Sequence, residues 1–371
     1  MLESLITISI VTGTLLSIFL GSRNQINHLI ILYTMYLYHL FFIVTFYFLS
    51  FTRNSDAFNY YHRTLEVIQN NSLLELSMGT KFIDNLTYLL INYFSFSYFN
   101  AFLLFGTIGF FGILLLYKIV FKHSIIHPYM ALFFFLPGLH FWLASLGKDS
   151  TIFFFLVLSL WAIIKNKIFW MTFSIILVFL IRPHIALMLI TSIGIYLMVK
   201  SQINLWIKIF SSIVLLSISV IVLQSVMQYV GIGNLDLATI NAYIEQRQGY
   251  NLEGGSSIDI SNMNVFVRFL TFWYRPLFES SNILYLLISF ENLILIFMTL
   301  YIIVNRKYII WNYAATVSVI YIILVSFILS STIANFGIII RQKMMIIPMF
   351  YYLFYMVVNN KSYNNIRRVS C

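Results

Sequence analysis

Two dipeptides in this sequence, Arg182-Pro183 and Arg275-Pro276, repeat one device. Proline lacks a backbone donor and holds the residue before it extended, so each arginine is presented where a helix breaks. A guanidinium placed there is a planar, permanently charged, bidentate fork, which suits a phosphate or diphosphate better than a more mobile lysine does. Arg341, Arg268 and Lys148 supply further cations at comparable positions, and Asp149 follows Lys148 directly. His184, next to the first Arg-Pro, is the general-base candidate because imidazole titrates near neutral pH. Asp149, Glu279 and Asp56 are rival bases or groups that orient an acceptor. Each also has a plainer reading: arginines anchored to lipid headgroups, Lys148 snorkelling, Asp149 capping the next helix, His184 held by hydrogen bonds. No two histidines share a metal-ligand spacing on one helix, which leaves metal catalysis unsupported.

The elements that position these residues belong to a membrane protein. The chain has 371 residues, of which 61% are hydrophobic, 18% aromatic and only 9% charged, with a mean hydropathy of +0.90. Soluble domains carry about a quarter charged residues. A β-barrel is excluded as well, because runs such as 29–51 are apolar on every face instead of alternating. The sole cysteine, Cys371, forms no internal disulfide and supplies no thiolate cluster. The run 5–20 follows Glu3 and has no Ala-x-Ala-like end, so it reads as a retained span and not as a cleaved signal.

Spacing of apolar runs predicts an all-α polytopic protein, a single integral membrane domain over 1–371 with about 11 transmembrane helices. The segments are 4–20, 29–51, 96–117, 128–146, 149–164, 168–181, 184–199, 209–230, 281–304, 309–329 and 338–358. The split between 168–181 and 184–199 rests on Arg182-Pro183-His184, a charge and a helix breaker in the middle of an apolar run. One alternate set of breaks holds Arg23, Lys118, Lys165, Lys167, Arg306, Lys307 and other basic residues without any acid, which marks it cytoplasmic. The other set mixes the remaining bases with every acid except Glu291 and faces outward. The net charge of +10 is thereby a topology signal, with no need for nucleic acid.

Cytoplasmic breaks are too short for a nucleotide-binding domain, so any chemistry belongs outside, where the two long polar stretches, 52–85 and 231–265, lie. In the first, Ser55 or Asp56 caps a helix through Tyr60, Tyr61, Leu65 and Ile68, and a second amphipathic segment runs from Phe82 to Tyr93. In the second, 237–247 reads as a short helix followed by the glycine- and serine-rich 253–257, a lid. His140, Ala144 and Lys148 fall at i, i+4, i+8 on one predicted face, and Arg268, Arg275 and Glu279 align likewise until Pro276 bends the line. Glu291, deep in its span, is expected to pair with a buried base.

The segments Leu136-Pro137-Gly138-Leu139-His140 through Gly147-Lys148-Asp149, Ile181-Arg182-Pro183-His184, Tyr274-Arg275-Pro276-Leu277-Phe278-Glu279, Phe290-Glu291-Asn292 and Asn335-Phe336-Gly337 leading to Arg341 resemble bacterial O-antigen and capsular repeat-unit polymerases of the Wzy and EpsG-like type. The resemblance runs from about residue 56 to 343. It implies a metal-independent, cofactor-free glycosyltransferase of the bacterial inner membrane, N-terminus outside and C-terminus cytoplasmic, with periplasmic loops at 52–85 and 231–280. Its substrate would be an undecaprenyl-diphosphate-linked oligosaccharide, and its companions a chain-length regulator and a flippase. Arg182, Arg275 and Arg341, then Arg268 and Lys148, would hold diphosphate; His184, Asp149 or Glu279 would take the acceptor proton; Asp56 would aid the acceptor. Tyr60, Tyr61, Tyr243 and Tyr250 could stack on sugars. An O-antigen ligase, another lipid-sugar-dependent glycosyltransferase and a lipid-linked-glycan transporter share these features. So does a structural subunit of an envelope assembly whose charges merely anchor it.

Overall fold

A computed structural model describes residues 1–52, 55–70, 77–121, 128–200, 256–260, 263–279 and 282–369, together with 204, 206, 208, 209, 213 and 217. All elements among them are helical, and the chain divides into two compact units: Met1–Trp161 with Leu180–Arg182, and Ala162–Phe179 with Pro183–Cys371.

In the first unit α1 (Leu2–Ser22), α2 (Ile26–Thr52) and α5 (Tyr98–Phe121) pack on one another. On α2 the buried residues Leu32, Met35, Tyr36, His39 and Ile43 recur at helical spacing, while Leu37, Phe41 and Phe48 on the other faces are each 63% exposed. A helix apolar on its exposed face as well as its buried one is built for lipid. Between α2 and α5, α3 (Asp56–Gln69) and α4 (Thr80–Phe94) pack against each other. Ser55 caps α3, its hydroxyl accepting from the Phe58 amide at 3.2 Å.

The segment expected to span at 128–146 instead forms a 3-10 helix (Pro128–Phe135) and the short α6 (Pro137–Leu143), which turns by 109° into α7 (Lys148–Lys165). Pro137 opens α6, and glycines on α5 admit the elbow. A Cβ at Gly109 would stand 2.2 Å from the Leu143 carbonyl oxygen, and one at Gly106 2.9 Å from that of Ala144. Because α6 stops at Leu143, His140, Ala144 and Lys148 do not share a helix face as their spacing predicts.

The second unit contains α8 (Ile168–Ile181, whose last two residues belong to the first unit), α9 (Pro183–Lys200), α10 (Val265–Tyr274), α11 (Ile283–Val304), α12 (Tyr313–Thr332), α13 (Phe336–Lys343) and α14 (Ile347–Val369). The central α12 packs against α9, α10 and α14. Arg182-Pro183 does separate two helices, with Pro183 opening α9. The last predicted span is interrupted by a turn at 344–346. α10 ends at Tyr274, so Arg268 and Glu279 do not lie on one helix.

Among the described residues, five helices (α1, α2, α5, α11 and α12) are long and apolar enough to cross a membrane, six if α6 and α7 make one bent span. Most of the predicted segment 209–230, the helix at 237–247, Tyr243, Tyr250 and most of the lid fall outside the described residues. The described end of that stretch is pinned: Ser256 oxygen accepts from Phe336 N at 2.9 Å, and Ile258 N donates to Ala334 O at 2.8 Å.

Candidate functional site

In the first unit the polar residues gather where the elbow, the start of α4 and the end of α8 meet. Gly147 adopts a φ of 152°, and a Cβ there would stand 3.1 Å from the Tyr60 ring, so glycine permits both the turn and the approach of α3. The turn sends Lys148 and Asp149 in different directions. Lys148 Nζ donates to Thr80 Oγ1 at 2.8 Å. Asp149, only 2% exposed, accepts from Arg182 Nη2 at 2.8 Å. The backbone reinforces this meeting, with Gly79 N donating to Leu180 O at 2.8 Å. Three residues that the sequence reading passed over complete the cluster. Arg63 grips Asp84 through Nε at 3.1 Å and Nη2 at 2.9 Å, and its guanidinium lies 5.2 Å from the Tyr60 ring centroid. Thr80, which receives Lys148, is the third. Burial pushes the Asp84 carboxyl up from its ordinary value, and the pull of Arg63, Lys148 and Lys81 in the other direction offsets only part of that. Asp84 and Arg63 are 21 positions apart on different helices, so no spacing rule exposes the pair.

In the second unit α10 ends at Arg275, whose backbone turns extended before a cis Arg275-Pro276 bond. Arg275 forks onto Glu279 through two bonds, Nη2 to Oε2 at 2.9 Å, and its guanidinium lies 5.4 Å from the Phe336 ring centroid. Phe278 holds a φ of 53°, rare for a side chain of its size, and its amide donates to Ser289 Oγ at 2.9 Å. Asn335 caps α13, accepting from Gly337 N at 2.9 Å and from Ser256 Oγ at 2.9 Å. Arg341 lies in the last turn of α13, partly buried. Beneath them Lys343, 3% exposed, donates to Trp273 O at 2.9 Å and to Asn292 Oδ1 at 2.7 Å. Asn292 in turn donates to Pro276 O at 2.9 Å. The Arg-Pro break is thus carried on a buried amide and ammonium drawn from two other helices. The signal for both was in the sequence as polar residues within apolar runs.

The structure therefore joins Lys148, Asp149 and Arg182 in one unit, and Arg275 and Glu279 in the other. His184 stands in the first turn of α9, in the second unit, and is partly buried. Arg268 is directed to its own chain, Nε donating to Met263 O at 2.9 Å. Asp56 is exposed in the first turn of α3. Glu291 lies on α11 one residue before Asn292, and its charge acts on Lys343. No cluster of three or more potential metal-ligating side chains occurs among the described residues.

The fold and these clusters define a helical membrane protein with paired charges at its helix breaks. No family model matches the chain, and neither curated proteins nor solved structures provide a match.

Proposed function

We propose that this protein is a membrane glycosyltransferase of the repeat-unit polymerase type. It transfers a growing glycan from undecaprenyl diphosphate to a lipid-linked repeat unit at the periplasmic face of a bacterial inner membrane. The single observation that carries this reading is the arginine-carboxylate pair at each of two helix breaks, Arg182 with Asp149 and Arg275 with Glu279. In such a pair the carboxylate keeps the fork oriented until a stronger anion arrives. A diphosphate drawing the guanidinium away frees the carboxylate, which then stands ready to accept a proton.

The reaction needs both halves of that exchange. The acceptor hydroxyl attacks the anomeric carbon of the donor sugar, the bond from that carbon to the diphosphate oxygen breaks, and charge gathers on the leaving phosphate. Within the second unit Arg275 and Arg341 stabilise this charge, with Arg268 secondary; in the first unit Arg182 and Lys148 offer an anion site of the same chemistry. The hydroxyl proton passes to Glu279 or His184 where the second unit's cations hold the donor, and to Asp149 where the first unit's do. Energy comes from the donor's own phosphate bond, so neither ATP nor a sugar nucleotide is required. Asp56, exposed in the first turn of α3, serves the acceptor, whereas the Tyr60 ring, expected to stack on sugars, is buried against Gly147 and Arg63 and does not.

A second reading, transport of lipid-linked glycans, is favoured by the interrupted helices at Arg182-Pro183 and 344–346, since transporters place ligands at such breaks. Purified protein in liposomes with lipid-linked repeat units separates the two. The polymerase releases chains of many repeats without nucleotide; movement of unaltered units across the bilayer, with no elongation, establishes the transporter instead.

A further inference from the structure

His39 on α2 and His140 on α6 meet inside the first unit, both with no exposed surface. His39 Nε2 lies 2.9 Å from the Gly106 carbonyl oxygen, and His140 Nε2 lies 2.7 Å from that of Phe134. A carbonyl oxygen only accepts, so both Nε2 atoms carry hydrogen. The two Nδ1 atoms then face each other at 3.0 Å, a hydrogen-bond distance.

Two neutral imidazoles cannot satisfy that geometry. With both Nε2 atoms protonated, each neutral ring offers only a lone pair at Nδ1, and two acceptors at this separation repel. Moving one ring's hydrogen from Nε2 to Nδ1 repairs the central contact but points a lone pair at a carbonyl oxygen. Turning a ring over puts carbon at both of its contacts and loses two hydrogen bonds. Three protons on four ring nitrogens satisfy every contact at once.

We infer that His39 and His140 bind one proton between their Nδ1 atoms, forming an imidazolium-imidazole monocation inside the membrane domain. Burial opposes the charge, and two features offset that. Both outer nitrogens donate to carbonyls, and aromatic rings pack on the pair, Tyr38 at 4.9 Å from His140 and Phe110 at 5.6 Å from His39.

The titratable neighbours on α2 itself are the phenols Tyr38, against the His140 ring, and Tyr36, against Phe110. α5 presents Gly106, Thr107 and Phe110 to this region, α1 presents Thr14, and the 3-10 helix presents Phe134 and Phe135. The charged groups of these elements stand toward their ends: Glu3 on α1, Lys118 in the last turn of α5, and His28 near the start of α2. Asp56, His62, Arg63 and Glu66 belong to α3, which follows the far end of α2. α2, α5, α6 and the 3-10 helix contain no carboxylate, and α1 contains Glu3 alone, near its start.

The bound proton ties α2 to α6, while the outer nitrogens tie the pair to α5 and to the 3-10 helix. These are the elements that carry the elbow, and Lys148 and Asp149 follow it directly. The site is independent of the glycosyl-transfer reading.

The test is solid-state 15N NMR of the full-length protein, labelled at histidine ring nitrogens, in lipid nanodiscs at neutral pH. Signals of the pair are assigned by their loss in His39→Gln and His140→Gln. Three protonated nitrogens of the four are expected; two would overturn the inference. If a variant fails to fold, 15N–15N transfer between the rings assigns the pair in the unsubstituted protein, and the same count decides.

Discussion

Arg182 with Asp149 and Arg275 with Glu279 are built from the same residue types beside a proline, yet they occupy different environments. In the first pair 12% of the arginine and 2% of the aspartate side chain are exposed; in the second the values are 38% and 28%. Two charges at the same separation attract several-fold more strongly in a partly dehydrated site than in water, and each is far more expensive to strand there. One sequence device therefore yields two kinds of site. The buried pair also holds the elbow against the end of α8 and gives up its carboxylate at greater cost, whereas the open pair trades its carboxylate for an incoming anion more readily.

The largest effect is expected from breaking the buried pair. Asp149→Ala leaves the Arg182 guanidinium without its carboxylate, at a cost of about 3–5 kcal/mol, read as a lower unfolding midpoint in detergent. Replacing both, Arg182→Met with Asp149→Leu, should restore much of that stability while abolishing polymer. A double variant that still makes normal polymer would remove Arg182 from the diphosphate argument.

Next in size is the support beneath the open pair. Lys343→Met leaves Trp273 O and Asn292 Oδ1 without their ammonium donor, which should destabilise the second unit by about 1–3 kcal/mol. Thermal unfolding of the purified variant checks it.

Breaking the open pair should reverse the balance. Glu279→Gln is expected to change stability by less than about 1 kcal/mol, because both groups are accessible to solvent. Polymer yield should nevertheless fall at least tenfold if the carboxylate orients Arg275 or receives the proton. Unchanged elongation with Glu279→Gln and Arg275→Ala alike would leave the second unit's pair a structural feature only.

The smallest effect concerns Arg63 and Asp84. Because burial raises the Asp84 value, the folded state binds a proton more readily than the unfolded one, and stability falls as pH rises through that window. Packing of α3 on α4 should therefore tighten modestly as pH drops from neutral toward about 4, the ordinary range of a carboxyl. Arg63→Ala should steepen the dependence and Asp84→Asn flatten it, as read by hydrogen exchange corrected for its intrinsic pH dependence.

Much of the outline was legible before any coordinates. The helix at Asp56–Gln69 with its Ser55 cap, the amphipathic segment before Phe94 and the break at Arg182-Pro183 all follow from local rules. So do the long apolar helices α1, α2, α5, α11 and α12. The elbow at 144–147 was not legible. It depends on glycines of α5 more than thirty residues earlier, which let the Leu143 carbonyl come close. By spacing His140 falls on one face with Ala144 and Lys148; the elbow ends that face after Leu143, and His140 is instead a buried partner of His39.

Apolar runs, prolines and caps act over a few residues, so composition and order alone determined a helical membrane protein and where most of its helices begin and end. Which carboxylate meets which arginine is a different matter. Asp149 and Arg182 are 33 positions apart, and Lys343 meets Asn292 across 51. Charges in a poorly solvated interior take whichever partner the packing of distant helices delivers, and only the tertiary structure decides that.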